Sequence, residues 1–476
     1  MIIKKGETIE LEIQDMAFGG KGIARVETEN GSFVVFIANG IPGQKVEVTI
    51  TKKRKKHAET RLRKVLERSP DECEMHQQPI SGAPFLTLPI EKQREYKKET
   101  TLTLFEKLGQ IKNVRELFDE YIASPSDFNY RNKMEYSFSV IRHDIETDEE
   151  HDDFALGFKH RGTWWKVENL DKDSGLFDIE FENKLKEIRL YLEKTGMPAW
   201  HPPKKEGFFR HLVVRKSFAD DELLLNLVTS STNKDNFDTN AFVEFLQNLL
   251  GKRLAGFIHT INDDVADRAK LEKGPSDTAW GKSTIIERVL GLEFEISMQS
   301  FFQTNPGSAE RLYQKVVDYT MDNNDIENQV VMDLFCGTGT IGQILASKTE
   351  NTKIIGVDIV ASAIENAKRN ASLNKISGVD FYAADVGKFL LEYPQYEGKI
   401  GTIVLDPPRG GIAPKTLKKV MNLSAQRIVY VSCNPGTQAR DAIELKEAGY
   451  ELKKLTLVDQ FPHTAHIESI MLFEKN

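Results

Sequence analysis

The chain has 476 residues, of which 40% are hydrophobic and 29% are charged, so it is long enough for two or three domains with buried cores. It has no run of about 18 apolar residues and no signal-peptide pattern, so we expect a cytoplasmic protein without a membrane segment. Its three cysteines exclude a disulfide framework, and its formal net charge of −8 excludes indiscriminate binding to polyanions.

Residues 1–68 contain short runs in which apolar and polar residues alternate, separated by glycine and proline turns. The runs begin at Ile9, Phe18, Phe33 and Lys45. This pattern predicts a small closed β-barrel of the OB type, a shape that often holds single-stranded RNA.

A dense basic run accompanies the predicted barrel. It comprises residues 52–56 together with Arg61, Arg63, Lys64 and Arg68. Such a run is usually a solvated face, but beside a barrel of this kind it also fits contact with RNA phosphates.

Residues 69–290 mix helical and strand-like patterns and predict a central α+β domain. A polar helical stretch occupies residues 90–108, and strand-like segments occupy residues 133–140 and 223–228. These patterns indicate little about chemistry.

Residues 291–476 repeat the order apolar strand, glycine turn, helix, which predicts an α/β domain with a Rossmann-like parallel sheet. The predicted strands begin at Val330, Lys353, Val379, Thr402 and Arg427. Ligands bind at the carboxyl ends of such strands, so the polar residues found there are expected to converge on one crevice.

A glycine turn follows the first of these strands. Residues 337–342 fit the G-x-G-x-x-G pattern, and Asp358 at the end of the next strand is placed to bind a ribose. This alone does not distinguish a nicotinamide dinucleotide from S-adenosylmethionine. Asp385, suited to an adenine amino group, and Asp406-Pro-Pro after the fourth strand favour S-adenosylmethionine, although an isolated proline pair indicates only a rigid turn.

Cys433 lies at the end of the fifth predicted strand, directly before a predicted helix. This position exposes the side chain to the crevice, and the positive end of the helix dipole is expected to favour a thiolate. A lone cysteine is more often buried and inert, but the strand-end position favours a reactive role for Cys433. Cys336, inside the glycine turn, is assigned to packing.

A thiolate at this place suits a methyltransferase that acts on carbon 5 of uracil. Addition of the thiolate to carbon 6 creates an enolate at carbon 5, and a base must later remove the proton from carbon 5. Glu468 is the candidate base, since it lies in an otherwise apolar segment where desolvation raises a carboxyl pKa; the alternative is a solvated charge at a strand edge. Glu468 could also join His463 and His466 as a metal ligand, but no further ligand completes a set, so we expect no metal.

Three motifs of this last domain together resemble those of the RNA uracil-C5 methyltransferase family, which modifies ribosomal and transfer RNA. They are Asp406-Pro-Pro-Arg, Ser432-Cys-Asn-Pro and His463-Thr-Ala-His-Ile-Glu. The amino-terminal barrel resembles the TRAM domain of that family. The central and linking motifs of the family are similar to three further segments of this chain, Tyr130-Arg-Asn-Lys, Gly207-Phe-Phe-Arg-His-Leu and Phe301-Phe-Gln-Thr-Asn.

The resemblance implies that Cys433 is the nucleophile and Glu468 the proton acceptor. It also implies that the S-adenosylmethionine pocket is lined by Gln303, Phe335, Thr340, Asp358, Asp385 and Asp406. Thr340 stands where the family often has Asn, and Asp358 where many members have Glu. Both side chains still form hydrogen bonds, so only the affinity for the cofactor is affected.

Many ribosomal members of the family carry a four-cysteine iron–sulfur site. The corresponding stretch here is Cys73-Glu-Met-His followed by Ser81-Gly-Ala-Pro, and residues 170–175 also lack a cysteine. We therefore expect no iron–sulfur cluster and a vestigial Cys73.

The sequence favours a uridine of 23S ribosomal RNA as the target, with transfer RNA as the alternative, and we expect a monomer. Amino-group methylation of RNA is a further alternative, but Arg409 stands where such enzymes place an aromatic residue. A non-catalytic RNA-binding protein is the last alternative, although Cys433, Glu468 and the cofactor carboxylates are all present.

Overall fold

The computed structural model describes residues 4–28, 31–145, 147–269, 276–322, 329–396 and 398–476. They form sheets of six, seven and eight strands and one two-stranded hairpin. No described helix is long and apolar enough to cross a bilayer. The predicted α/β class is confirmed; the first three residues of the predicted barrel domain lie outside the described residues.

The amino-terminal sheet has six strands. They are β1 (Thr8–Glu12), β2 (Asp15–Ala17), β3 (Lys21–Thr28), β4 (Gly31–Ala38), β5 (Lys45–Lys53) and β6 (His57–Glu67). Their order is β1-β5-β6-β4-β3-β2, and only the β4–β6 pairing is parallel. Alternate residues, such as Val35 and Val48, point into one apolar core, as the alternation in the sequence predicts.

The central sheet has seven strands in the order β10-β9-β8-β11-β12-β13-β14. Before it in the chain come α1 (Ile90–Lys107) and β7 (Phe118–Ile122). Its elements are β8 (Lys133–His143), β9 (Glu150–Lys159), β10 (Val167–Asn169), α2 (Ile179–Glu182), α3 (Leu185–Lys194), β11 (Phe209–Lys216), β12 (Leu223–Thr229), α4 (Thr239–Leu250), β13 (Leu254–Ile261) and β14 (Ser276–Gly281). The apolar sides of α3 and α4 share one core with this sheet.

The last part of the chain builds the eight-stranded sheet. Its elements are β15 (Thr284–Val289), β16 (Leu292–Ser297), α5 (Pro306–Met321), β17 (Val330–Leu334), α6 (Thr340–Lys348), β18 (Lys353–Asp358), α7 (Ala361–Leu373), β19 (Val379–Ala383), α8 (Phe389–Glu392), β20 (Ile400–Leu405), α9 (Pro414–Asn422), β21 (Arg427–Ser432), α10 (Pro435–Glu447), β22 (Tyr450–Val458) and β23 (Glu468–Lys475). The hairpin β15–β16 forms a separate two-stranded sheet, and its buried residues, such as Phe294, belong to the same core as β17 and β21.

The strand order of this sheet is β19-β18-β17-β20-β21-β23-β22-β7. The first five strands are parallel and correspond to the five strands that the sequence predicts. Strand β23 runs antiparallel between β21 and β22. The parallel strands β17 and β21 are buried along their whole length, as expected for a sheet covered by helices on both faces.

Residues 90–122 pack on the eight-stranded sheet. Strand β7 pairs with β22 at its edge, and Leu102, Phe105 and Val114 belong to the core of that sheet. The assignment of residues 69–290 to one domain stays a prediction, and part of that segment contributes a strand and a helix to the carboxyl-terminal sheet.

Helix α1 also holds the loop between β22 and β23. The ammonium of Lys97 lies 2.7 Å from a carboxylate oxygen of Asp459, and both side chains are buried. Lys97 also donates to the carbonyl of Phe461, and the side-chain oxygen of Gln93 accepts from the backbone N–H of His463. The loop that leads into β23 is therefore fixed by buried polar contacts.

We predict that Lys97→Met destabilises the protein by about 3–5 kcal/mol, because Asp459 would remain buried with only the more distant guanidinium of Arg94, at 4.0 Å, as a cation. Urea unfolding measures this change. The double variant Lys97→Met/Asp459→Leu should recover most of the loss, and Lys107→Met, at the exposed end of the same helix, should change stability by less than about 0.5 kcal/mol. A Lys97→Met protein as stable as the Lys107→Met control would contradict this anchoring role.

Candidate active site

The carboxyl ends of the central parallel strands are aligned by their register. Leu334 of β17 pairs with Val357 of β18 and with Leu405 of β20, and Leu405 pairs with Tyr430 of β21. Four of the predicted site residues lie at or just beyond this edge: Phe335, Asp358, Asp406 and Cys433.

Cys433 and Glu468 are brought together by the pairing of β21 with β23. Ser432 is the last registered residue of β21 and lies opposite Ser469. One step further in the same antiparallel register, Cys433 lies opposite Glu468. Directly opposite residues project from the same face of a sheet, so the thiol and the carboxyl share one side.

The thiol of Cys433 is half-buried. Burial, followed by the nearby Glu468 and Asp406, raises its pKa to about 11, whereas Arg409 acts in the opposite direction. Asn434 caps α10 and accepts from the N–H of Gly436. Burial and the two carboxyls thus favour the neutral thiol in the protein without substrate, and the opposing effect of the helix dipole stays a prediction.

Two carboxyl groups accompany the thiol. Burial, then Asp406, raises the pKa of Glu468 to about 8, and Arg409 opposes the shift. Burial raises the pKa of Asp406 to about 7. Glu468 is thus not the solvated strand-edge charge of the alternative interpretation, since only 2% of the residue is exposed.

Arg409 supplies positive charge at this end of the sheet. Its guanidinium lies 2.7 Å from Nδ1 of His466, and its backbone carbonyl accepts from the side-chain amide of Asn434. The contact with Asn434 ties the Asp406-Pro-Pro-Arg segment to the residue that follows Cys433.

The glycine turn after β17 has the backbone that the motif predicts. Gly337 and Gly339 have φ values of 54° and 72°, and Phe335, which is not a glycine, has a φ of 64°. Such a conformation costs a non-glycine residue about 1–3 kcal/mol, and it is retained mainly at functional sites. The N–H of Phe335 donates to the carbonyl of Val357, which fixes the turn to β18.

Asp358 joins the glycine turn to the next helix. One carboxylate oxygen accepts from the N–H of Gly337 at 3.0 Å, and the other accepts from the N–H of Val360 at 2.9 Å. Each oxygen has a second lone pair, so the carboxylate still has room to accept hydrogen bonds from a ligand.

Gln303 and Thr340 are both buried at the entrance to helices. Gln303 precedes α5, and its side-chain oxygen lies 3.4 Å from the amide nitrogen of Gln460. Thr340 opens α6, with its hydroxyl 3.5 Å from that of Thr338. Thr338 also donates to the carbonyl of Phe301, which brings the segment before α5 against the glycine turn.

Asp385 follows β19 and is exposed. Its carbonyl accepts from the N–H of Lys388, and one of its carboxylate oxygens lies next to Gly387. β19 is the outermost strand, next to β18, so Asp385 lies on the Asp358 side of the crevice.

The sequence reasoning missed Asp333 and Tyr313. Asp333 is fully buried in β17; one carboxylate oxygen accepts from the N–H of Gly342, and the other has no partner among the described residues. Burial raises its pKa to about 8. Tyr313 of α5 is buried beside Gln303, and burial and Asp406 raise its pKa well above the ordinary value. An acid inside an otherwise apolar strand was the available signal for Asp333.

His463 and His466 each contact a side chain of the surrounding structure, and the absence of a metal there stays a prediction. The Nδ1 of His463 lies 3.1 Å from the side-chain nitrogen of Gln93, and burial lowers the pKa of His463 to about 4. His466 is exposed and contacts Arg409. The two rings therefore hold the loop before Glu468 and the arginine beside it.

The donor set does not fit a four-cysteine iron–sulfur cluster. The chain has only three cysteines, and two of them, Cys336 and Cys433, belong to the carboxyl-terminal sheet. Cys73 is exposed, and its thiol lies 3.3 Å from the carbonyl of Thr87.

Two family models match the chain. Residues 282–476 match the model described as tRNA (uracil-5-)-methyltransferase, and residues 4–62 match the model of the TRAM domain.

Relatives match along the whole chain. A protein of Clostridium acetobutylicum, described as an uncharacterized RNA methyltransferase, is 37% identical and covers 100% of this chain and 99% of its own length. A protein of Caldanaerobacter subterraneus with the same description is 38% identical and covers 99% and 100%. The crystal structure of Pyrococcus abyssi tRNA (uracil-54, C5)-methyltransferase with S-adenosyl-L-homocysteine has a TM-score of 0.69 and 24% identity, and covers 98% of this chain and 100% of its own; this likeness shows a shared fold.

The raised pKa of Glu468 predicts how stability depends on pH. Between its ordinary value of 4.5 and about 8, the carboxyl stays protonated in the folded protein but ionises in the unfolded chain, so stability falls as the pH rises. Glu468→Gln removes this term. The unfolding free energy of the variant minus that of the wild type should therefore increase by about 2–5 kcal/mol when the pH is raised from about 5 to about 9.

Denaturant unfolding at the two pH values measures this difference. Glu451→Gln changes an exposed carboxyl on the neighbouring strand β22 and serves as the matched control, with an expected effect under about 0.5 kcal/mol. A pH-independent difference between Glu468→Gln and the wild type would show that Glu468 is ionised in the folded protein.

Proposed function

The chain belongs to the tRNA (uracil-5-)-methyltransferase family, the family of RNA uracil-C5 methyltransferases with a TRAM domain, and we propose that it methylates carbon 5 of a uridine in 23S ribosomal RNA. Cys433 is the nucleophile and Glu468 the base in this proposal. The observation that carries it is the closeness of the two side chains: they lie one position beyond the Ser432–Ser469 pair, and the carboxyl of Glu468 acts on the pKa of the Cys433 thiol.

The crevice fits S-adenosylmethionine as the methyl donor. Asp333 has a buried carboxylate oxygen without a partner among the described residues, which suits a cationic or hydrogen-bond-donating ligand. A Cβ atom placed on Gly337 would meet open space, so the glycine turn leaves room for a ligand. The residues proposed to hold this ligand are Gln303, Phe335, Thr340, Asp358, Asp385 and Asp406. When bound, S-adenosylmethionine supplies an electrophilic methyl group.

Cys433 acts first: its thiol loses its proton to solvent, and the thiolate sulfur adds to carbon 6 of the uracil ring while the electrons of the carbon 5–carbon 6 double bond move into an enolate. With a pKa of about 8, Glu468 is mostly protonated at neutral pH, so the repulsion by its carboxylate that raises the pKa of the thiol is weaker there than at higher pH. Arg409 favours the thiolate by its positive charge. The addition makes carbon 5 nucleophilic, which is the step that an unmodified uracil ring does not provide.

Glu468 acts after carbon 5 has been methylated. Its carboxylate takes the proton from carbon 5, the electrons of that bond form the ring double bond, and the carbon–sulfur bond to Cys433 breaks. A carboxyl with a pKa near 8 is a stronger base than an ordinary glutamate once it is ionised, so desolvation of Glu468 serves this step.

The amino-terminal TRAM sheet and its basic residues support RNA rather than DNA as the substrate. Ribosomal RNA is our first candidate. Transfer RNA is the second, because the matching family model and the Pyrococcus abyssi enzyme are both named for it.

Covalent catalysis predicts that RNA containing 5-fluorouridine traps the enzyme. In this substrate carbon 5 carries fluorine in place of hydrogen, so the base has no proton to remove and the cysteine cannot be eliminated. The wild type with S-adenosylmethionine should therefore form an adduct that survives denaturing electrophoresis. Cys433→Ala should form no adduct and lose at least about 1,000-fold in rate, while Cys73→Ala should trap RNA like the wild type. An active wild type that forms no adduct would rule out the covalent scheme.

The choice of RNA predicts where 5-methyluridine is lost. In cells that lack the protein, mass spectrometry of nuclease fragments should show the loss at one or more uridines of 23S ribosomal RNA and unchanged transfer RNA. Loss from transfer RNA alone would replace our first candidate with the second.

A further inference from the structure

An exposed tryptophan stands on an ordered loop beside the TRAM sheet. Residues 160–166 connect β9 to β10, and 55% of Trp164 is exposed. Its ring meets the half-buried ring of Trp165 edge-on, with the centroids 5.7 Å apart. Tryptophan is enriched at interfaces because its ring is apolar and its N–H is polar, so an exposed tryptophan next to charged groups is a candidate for contact with a partner.

The loop is held by its own hydrogen bonds. The N–H of His160 donates to the carbonyl of Lys166 at 2.9 Å, and the N–H of Thr163 donates to the carbonyl of His160 at 3.1 Å. The Nδ1 of His160 lies 2.6 Å from a carboxylate oxygen of Glu168, which is buried in β10. Trp164 is therefore presented on a preformed support, which lowers the entropic cost of binding.

The same loop contacts the TRAM sheet and the segment that follows it. Arg61 of β6 donates to the carbonyl of Gly162, and the N–H of Arg161 donates to the hydroxyl of Ser81 at 3.0 Å. A cleft of about 200 Å³ lies between these parts and is lined by Leu62, Ser81 and Arg161 among others.

Positive charge lies on both elements that meet at this junction, β6 and the Trp164 loop. Arg63 and Lys64 are exposed on β6. Arg161 lines the cleft, and desolvation there lowers its pKa to about 10. Glu72 lines the same cleft, where it accepts hydrogen bonds from Gln44, Ser69 and Thr87. The loop also meets a carboxylate: Glu150 lies 3.3 Å from the ammonium of Lys166, and this cation neutralises the charge of Glu150. Cations beside an exposed ring match the phosphates and bases of a single-stranded nucleic acid.

The junction is continuous with the loop that carries Glu468. A Cβ atom on Gly20 of the TRAM sheet would meet the side chains of Ala465 and Phe85. The N–H of Phe85 donates to the carbonyl of His463. Residues 81–85 therefore contact both the Trp164 loop and the segment before Glu468, so one short segment links the junction to the candidate active site.

We propose that Trp164 stacks on an unpaired base of the substrate RNA, while Arg63, Lys64 and Arg161 bind the adjoining phosphates. This inference rests on the proposed function, since it assigns the nucleotides that flank the target uridine. Stacking on an aromatic side chain tolerates any base, so the junction adds affinity and orientation and leaves selection of the uridine to the crevice.

The test measures binding of the full-length protein to a fluorescent, unstructured RNA of twenty nucleotides by anisotropy. Trp164→Ala should weaken binding about 5- to 100-fold, and Trp164→Phe should retain most of the affinity. Phe218→Ala removes an aromatic ring that is 41% exposed elsewhere in the central domain, and it should bind like the wild type. An abasic oligomer of the same length should bind Trp164→Ala and the wild type equally, because it offers no ring to stack on.

Salt dependence separates the two kinds of contact. Trp164→Ala should leave the slope of log affinity against log salt unchanged. Arg63→Gln/Lys64→Gln should make this negative slope shallower by about 1.4, since each phosphate contact to a single strand contributes about 0.7. Equal RNA affinity of Trp164→Ala and Phe218→Ala would overturn the proposal and leave a protein partner as the occupant of this surface. Failure of covalent trapping by the wild type would instead refute the proposed function, because that assay does not depend on Trp164.

Discussion

The site depends on one strand pairing, the insertion of β23 between β21 and β22 in the opposite direction. This pairing places Glu468, which is distant in sequence, opposite Cys433. A shift of one residue would turn Glu468 to the other face of the sheet. The register is held by buried residues on both faces of β23, with Ile470 and Leu472 in the core on one face and Met471 and Phe473 in the core on the other. The ion pair between Lys97 and Asp459 fixes the loop from which the strand starts.

Low local dielectric is the second property of the site. Asp333, Asp406 and Glu468 all have pKa values raised mainly by burial, and the thiol of Cys433 shares this environment. Carboxyls that remain near their titration point at neutral pH can exchange protons during a reaction, and such groups concentrate in active sites. The same burial destabilises the protein at high pH, so the chemistry and the stability of the fold are opposed at Glu468.

Local patterns were sufficient to predict the five parallel strands, the glycine turn and the strand-end positions of Asp406 and Cys433. They did not predict that α1 and β7 join the last sheet, because that packing links residues more than 300 positions apart, as Lys97 and Asp459 show. Local sequence patterns also did not predict that the thiol of Cys433 is protonated. The position before α10 was visible in the sequence, whereas the burial and the two carboxyls that raise the pKa of the thiol depend on tertiary structure.

The central claim, that Cys433 and Glu468 act in sequence on one uracil ring, is tested most directly with Glu468→Gln. The variant is incubated with RNA and S-adenosylmethionine, digested, and examined by mass spectrometry. The account predicts a methylated uridine still bonded to Cys433, because addition and methyl transfer proceed but the proton on carbon 5 stays. Free 5-methyluridine formed at the wild-type rate, with no adduct on Cys433, would contradict it.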